Sequence, residues 1–332
     1  MKSVYGAPSV LDDIFNLVES DLQKVELSLK ANAGSSIPLI DDINRYLHDS
    51  GGKRFRPLLL LLCSKMCGAK EDSAIRLSVI IELIHVATLV HDDILDDAGV
   101  RRGRASVNAK WGNQITVLMG DWLYMTSFAL SLELRDFRIL DLLIDITRGM
   151  IEGELLQLRQ QGIADLSVEE QLDICYRKTA HLFSGCGRLG AILGNVDSNQ
   201  EKKLGAYGNA VGMAFQLIDD LLDYSSDEGT LGKPVLKDLE EGKTTLPIIY
   251  LLQRANRTEQ KFVRDVIANQ DFTLENKKEI IRLIHSHKTL EEVVKLATKY
   301  ALDAKQALLD FPESAYREAL LRFPEFVINR EK

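Results

Sequence analysis

The sequence predicts an all-α fold, and three observations carry that prediction. No proline occurs between Pro57 and Pro234, apolar residues in that span recur at spacings of three and four rather than two, and stretches of strand character are almost absent. Glycine-bearing joints at Gly51-Gly52, Gly99 to Gly103, Gly162, Gly194 and Gly229 to Gly242 divide the chain into consecutive helices. The first long helix leads through Leu83, Ile84, Ala87 and Val90, and a second is expected after Asp121. A capping-box pattern, Ser167 with Glu170, starts the helix that carries Lys178-Thr179. Val211, Phe215 and Ile218 mark the next long helix, and Ser225 to Gly242 reads as a loop in a position suited to a lid. A second capping-box pattern, Thr289 with Glu292, opens one of the short amphipathic segments after Thr258, which read as a packing and interface layer.

Composition bounds the class of function. With 332 residues, 45% hydrophobic and 27% charged, the chain has material for a large globular core. Length alone would allow two domains, but no Gly/Ser/Pro-rich linker or charge block separates them, so a single domain over 1–332 is expected. The net charge of -8 argues against a nucleic-acid surface. Basic residues are instead local, in Lys53-Arg54-Phe55-Arg56 and Arg101-Arg102-Gly103-Arg104. The opening residues lack the apolar core of a secretory signal, and Leu58 to Leu62 is too short to cross a bilayer, so a cytoplasmic protein without an integral membrane segment is expected. Cys63, Cys67, Cys175 and Cys186 show no disulfide or zinc-ribbon spacing and read as buried thiols.

The chemistry is announced by an acidic run that occurs twice, Asp92-Asp93-Ile94-Leu95-Asp96 and Asp219-Asp220-Leu221-Leu222-Asp223. On a helix the first and last aspartates of such a run lie about one turn, ~6 Å, apart on one face. One run alone could serve as a helix N-terminus, where aspartates answer the macrodipole. Here apolar residues of helical period precede both, so neither starts a helix. Stacked carboxylates then need cations, and Mg²⁺ bound through a few carboxylates together with substrate phosphates suits them. More than one ion is expected.

Helical spacing adds neighbours to each run. His85 precedes Asp92 by seven residues, and Gln216 precedes Asp219 by three and Asp220 by four. A single histidine there is more often a hydrogen-bonded core residue than a ligand. Arg101-Arg102 suits bidentate diphosphate oxygens, and the glycines of Gly51-Gly52-Lys53-Arg54-Phe55-Arg56-Pro57 allow close backbone approach. Lys178-Thr179, Lys233 and Lys243 add further basic or hydroxyl groups. Together with six aspartates they point to anionic substrates and bridging cations.

These residues resemble the all-trans polyprenyl diphosphate synthases of the class I isoprenoid synthase fold, most closely the long-chain octaprenyl-type enzymes. The resemblance rests on Gly51 to Pro57, Leu83-Ile84-His85 through Arg101-Arg102-Gly103, Gly120-Asp121, Lys178-Thr179, Gly212 through Asp223, and Gly242-Lys243-Thr244-Thr245-Leu246-Pro247. It implies a single large helical bundle that joins isopentenyl diphosphate to an allylic diphosphate such as farnesyl diphosphate. By the same resemblance, Lys53, Arg56, His85 and Arg102 hold isopentenyl diphosphate. Arg101, Lys178, Thr179, Gln216, Lys233 and Lys243 face the allylic diphosphate, with Mg²⁺ on Asp92, Asp96, Asp219 and Asp223 and with Asp93 among the catalytic residues. A homodimer is likewise implied, with at most a peripheral membrane contact for product release. The chain departs from the family at Leu236, where glycine is more usual.

The reaction so implied ionises the allylic diphosphate, adds the double bond of isopentenyl diphosphate to the cation and loses a proton. It needs charge stabilisation at the leaving diphosphate and an apolar enclosure that excludes water. The growing tail is expected along Thr88, Ala87 and Ile84, none of them aromatic, with Tyr124, Phe128 and Leu130 as deeper floor. The lack of a bulky ring near Asp92 predicts a long, octaprenyl-like product. Two rivals are a class I terpene cyclase, disfavoured by the basic turn Lys53 to Arg56 and by His85, and a non-catalytic regulatory subunit, disfavoured by two complete acidic runs.

Overall fold

The computed structural model describes residues 10–32, 34–225 and 236–330. In chain order the helices are α1 (Val10–Asn16), α2 (Glu19–Asn32), α3 (Pro38–Asp49), α4 (Phe55–Met66) and α5 (Glu71–Leu95), followed by a short hairpin of β1 (Val100–Arg101) and β2 (Arg104–Ala105). Then come α6 (Val107–Trp111), α7 (Asn113–Leu132), α8 (Phe137–Gln160), α9 (Val168–Cys175), a π-helical turn over Tyr176–Ala180, α10 (His181–Leu193) and α11 (Ser198–Ser225). After the break follow α12 (Lys237–Glu240), α13 (Leu246–Arg254), α14 (Arg257–Asn269), α15 (Leu274–Ser286), α16 (Thr289–Ala307) and α17 (Ala315–Ile328). The all-α expectation is met, with one two-stranded hairpin as the sheet among the described residues.

Contacts sort the chain into two compact units: Met1–Thr147 with Gly185–Gly205 and Asp310–Leu320, and Arg148–Ser184 with Ala206–Leu309 and Leu321–Lys332. In the first, α5 packs on α2, α4 and α7. Leu58, Leu59, Leu60, Leu61 and Leu62 are all fully buried, so this stretch of α4 shows no amphipathic stripe because it is covered on every side. The His91 ring of α5 lies against Gly120 of α7, where a Cβ would come within 2.2 Å of its Nε2.

The second unit is organised around α13, which packs against α9, α14, α15 and α16. One apolar cluster joins Tyr224, Leu236 and Leu239 to Ile248, Leu251, Val263 and Ile280. Another joins Leu217 and Ile218 to Leu246, Ile249, Val293 and Ala297. These clusters lie beneath the second acidic run, so the run projects from a packed helix rather than from a loop.

Three sequence expectations change in detail. Ser167 and Glu170 form the capping box as expected, but Thr289 does not cap. Lys288 in a left-handed conformation, φ 53°, occupies the N-cap position of α16, and the buried Thr289 hydroxyl donates to the Ile284 carbonyl instead. A second capping box belongs to Asn256 with Glu259, which starts α14. Finally, Leu58 to Leu62 is not the most membrane-like stretch. By length and composition alone, α5 and α7 could each cross a bilayer, although 67% of the apolar window of α5 is buried within the protein. All four cysteines are free thiols, with Cys63, Cys175 and Cys186 buried.

Candidate active site

Both acidic runs sit at the C-terminal ends of their helices, where the macrodipole is negative. Asp92 and Asp93 close α5, Asp96 is its C-cap residue, and the Asp96 N–H donates to the Asp92 carbonyl at 2.8 Å, so the turn joining them is intact. Asp219, Asp220 and Asp223 lie in the last two turns of α11. Neither helix has a basic residue in its final turn to offset the carboxylates. A carboxylate at the negative end of a helix costs stability, and a bound cation would relieve it.

In the first unit the acidic run is answered by arginines from outside the helix. Two positive-φ residues, Arg102 at 52° and Gly103 at 76°, form the two-residue turn between β1 and β2, the conformation that suits the twist of a tight hairpin. Gly103 meets this at no steric cost, whereas Arg102 adopts it with a long side chain attached. The turn sends Arg101 back to the buried Asp93, whose carboxylate it binds. Burial raises the Asp93 pKa, and Arg101 pulls it back down.

On the preceding turns of α5, His85 accepts a hydrogen bond at Nε2 from Arg56 at 3.1 Å. Burial, then the guanidinium groups of Arg56, Arg102, Arg54 and Arg101, push the His85 pKa well below its ordinary value. Arg54 is held by Glu26 and by Glu82 at 2.5 Å, with Glu82 only 3% exposed. Lys53 is exposed, 6.0 Å from the Phe55 ring centroid. The structure therefore brings His85, Arg56, Arg101 and Asp93 into one charged cluster. It adds Glu82, which the sequence does not single out, as a buried partner for Arg54 of the basic turn.

The tail-side residues sit on the α5–α7 contact. Ile84 and Ala87 are fully buried, and the Thr88 hydroxyl donates to the His85 carbonyl at 2.7 Å. Tyr124 stands 5.8 Å from the His91 ring and close enough to Asp92 and Asp121 for their charges to raise its pKa, although burial is the larger cause. Phe128 is half-buried, and Leu130 lines a separate cavity of about 200 Å³ beside Arg76 and Glu133. A further cavity of this unit is walled by Leu83, Val86, Val90 and Leu123 rather than by Ile84, Ala87 or Thr88.

In the second unit a cavity of about 140 Å³ is lined by Lys178, Gln216, Asp219, Asp220, Asp238 and Lys243, among others. Lys178 and Thr179 sit on the π-helical turn, an irregularity that is frequent where side chains must be re-aimed. Gly212 permits this, since a Cβ there would come within 2.5 Å of the Ala180 Cα. One turn later along α11, Gln216 accepts from the Thr179 hydroxyl at 2.6 Å and donates to Asp220 at 2.6 Å. Lys178 is engaged by Gln157 at 2.9 Å and Glu154 at 2.6 Å, and Lys243 by Glu241 at 2.8 Å.

The segment after the break is tied to the acidic run. The Asp223 carbonyl accepts from the Leu236 N–H at 3.2 Å, and its carboxylate from the Asp238 N–H at 3.1 Å. Leu236 itself has φ 63°, the backbone that glycine favours, yet its side chain is fully buried. Burial and the neighbouring charge of Asp223 raise the Asp238 pKa to about 7. Asp220 is raised as well, by burial first and then by Asp238. Lys233 and residues 226–235 of the expected lid lie outside the described residues.

Comparison with known proteins identifies the fold. A family model described as polyprenyl synthetase matches residues 37–284. The chain belongs to the polyprenyl synthetase family. It is 37% identical to an octaprenyl diphosphate synthase of Haemophilus influenzae, over 96% of this chain and 97% of that one. It superposes with a TM-score of 0.91 on a polyprenyl synthase from Caulobacter crescentus solved with calcium and isoprenyl diphosphate, at 35% identity over 98% of this chain and 99% of that one. A decaprenyl diphosphate synthase from Rhodobacter capsulatus gives 0.92 at 32% identity, over 96% of this chain and 99% of that one. The resemblance read from the motifs, and with it a trans-prenyltransferase, is borne out.

The donor set of this polyprenyl synthetase fits a hard divalent cation. No group of three His, Cys, Asp or Glu among the described residues converges as a cage of its own. Mg²⁺ is usually bound in that manner, through one or two carboxylates with substrate phosphates completing the shell. The mutual repulsion of Asp220 and Asp238 in a cavity that also holds Asp219, together with that of Asp223 on Asp238, points the same way.

Proposed function

We propose that this polyprenyl synthetase condenses isopentenyl diphosphate with an allylic diphosphate, such as farnesyl diphosphate, to make a long-chain, octaprenyl-like all-trans polyprenyl diphosphate, the whole chain acting as one isoprenoid synthase domain. The observation that carries it is the pair of acidic runs at the negative ends of α5 and α11 in a chain that matches polyprenyl synthases over nearly its full length. Asp92, Asp96, Asp219 and Asp223 are the carboxylates that hold Mg²⁺. When bound, the ions supply Lewis-acid stabilisation of the departing diphosphate. The calcium and isoprenyl diphosphate in the Caulobacter crescentus relative support this choice of ligand chemistry.

The chain's own residues divide the remaining tasks. Arg56, His85, Lys53 and Arg102 hold isopentenyl diphosphate. His85 does so as a neutral acceptor that steadies Arg56 rather than as a cation. Arg101, Lys178, Thr179, Gln216 and Lys243 orient the allylic diphosphate, with Lys233 expected to join them. Lys178 and Lys243 exchange their present carboxylate partners for phosphate oxygens, a swap between interactions of like kind that costs little net energy. With Nε2 of His85 committed to Arg56, the leaving diphosphate takes the proton that ends each cycle. The exposed apolar residues Leu118, Met125 and Leu132 of α7 support a homodimer, and a cytoplasmic location belongs to the same proposal. Incubation with radiolabelled isopentenyl diphosphate, farnesyl diphosphate and Mg²⁺ tests the proposal. A long-chain labelled product supports it; a cyclised product from farnesyl diphosphate alone, or no turnover, rejects it.

A further inference from the structure

Asp219 is gripped from one side by an arginine at the far end of the chain. Arg330 follows α17, and its side chain is 5% exposed. The guanidinium carbon lies 3.7 Å from the Phe215 ring centroid, and Nη2 donates both to the Phe215 carbonyl at 2.9 Å and to Oδ1 of Asp219 at 3.0 Å. Phe215 and Asp219 are four residues apart on α11, so a single nitrogen spans one helical turn, from carbonyl to carboxylate. Stacking and two hydrogen bonds leave the guanidinium little freedom. Asp219, in contrast, is 59% exposed and lines the cavity shared with Lys178 and Asp238. One oxygen is therefore occupied from behind while the other faces open space.

We propose that Arg330 is a positioning residue for Asp219: by holding Oδ1, it presents Oδ2 as the oxygen that a divalent cation meets. The proposal rests on the metal role assigned to Asp219 above. Carboxylates that ligate metals are themselves hydrogen-bonded, and that support is worth about tenfold or more in metal affinity. A guanidinium acting as a plug would have to be mobile and exposed. The stacked, buried geometry of Arg330 is that of a fixed brace.

The test uses the full-length protein with inorganic pyrophosphate and follows the rise in melting temperature as Mg²⁺ is added. Arg330→Met keeps an unbranched side chain against Phe215 but removes both donors. It is expected to need about tenfold more Mg²⁺ or above to reach half of the full rise. Arg330→Lys, which keeps a charged donor but loses the planar stack on Phe215, is expected to restore part of the response. A general loss of packing would lower the starting melting temperature in chelator without moving the Mg²⁺ midpoint. Should Arg330→Met fail to fold, the same comparison is made on Arg330→Gln. An unchanged midpoint, or a lower one, overturns the brace. A wild-type protein with no Mg²⁺ response overturns the metal role of Asp219 and the brace together, whereas a wild-type response with unaltered variants removes the brace alone.

Discussion

The Arg56 guanidinium donates from Nη1 to Nε2 of His85 across 3.1 Å. Arginine has no acceptor, so Nε2 carries no proton and the imidazole is neutral, protonated at Nδ1. Burial and four guanidinium groups hold the His85 pKa well below 6.5. In the unfolded chain His85 takes up a proton as pH falls through about 6.5, while in the folded protein it does not. The unfolded state then binds more protons, and stability is lost as pH drops below about 6.5, by at most about 1.4 kcal/mol per pH unit for one group. His85→Gln keeps an acceptor for Arg56 and removes the titration. Thermal melts between pH 7.5 and pH 5.5 are expected to show a shallower acid loss in the variant; parallel curves would show that His85 is charged in both states.

The placement of both acidic runs at helix C-termini separates folding from function. Asp92→Asn removes a charge from the negative end of α5, where a carboxylate costs about 0.3–1 kcal/mol. Its melting temperature in chelator should be equal to or slightly above that of the wild type, while turnover is abolished. Asp219→Asn on α11 should also abolish turnover, but it removes the charge partner of the buried Arg330 and is expected to lower the melting temperature. Groups that act as a unit show grossly non-additive losses. The double variant is therefore expected to be about as inactive as either single one. Losses that multiply would assign the two runs to separate steps.

Much of this was legible in the sequence because helical period and motif spacing are local properties. The acidic runs, His85, Gln216 and Lys178-Thr179 all fall on helical turns that the apolar pattern announces. What escaped is non-local. Nothing in the spacing of Arg54, Glu26 and Glu82 reveals a buried three-way ion pair, because its members come from α4's entry, α2 and α5. Arg330 was hidden in a segment read as packing, although its side chain reaches Asp219. Thr289 mimics a capping residue in sequence, but tertiary burial turned its hydroxyl toward Ile284. Leu236 shows the reverse case. The resemblance implies glycine at this position, and a φ of 63° is the backbone that glycine favours. Burying the leucine, worth about 2 kcal/mol, offsets left-handed strain of about 1–2 kcal/mol.

The tail-side assignment makes a prediction with two readouts. Ala87 is fully buried beneath the α5–α7 contact, one turn and a residue before Asp92. Ala87→Phe must therefore displace its neighbours, at about 1–3 kcal/mol, unless space for the ring opens along the path of the growing chain. Under the proposed function the variant remains folded and makes shorter products, read by chromatography of the labelled prenyl chains. Wild-type chain length from a destabilised variant would move the tunnel to the cavity walled by Leu83, Val86 and Leu123.

Along α7, Leu118, Met125 and Leu132 recur every seven residues and are 68%, 62% and 50% exposed. A heptad stripe of large apolar side chains at that exposure is costly in water and is the geometry with which one helix meets another. The same helix passes a length-and-composition test for crossing a membrane, so two fates are open to its surface: a second copy of the chain, or lipid. Asp121 argues for the former, since it is 61% exposed on the same helix and a charge at mid-bilayer depth costs about 2.5 kcal/mol or more. Leu118→Glu combined with Met125→Glu is expected to convert a dimer into a monomer with a native helical spectrum, as read by sedimentation equilibrium. A mass of two chains for both the wild type and the variant would place the subunit contact elsewhere. Binding of the wild-type protein, but not the variant, to neutral vesicles would instead assign the stripe to lipid.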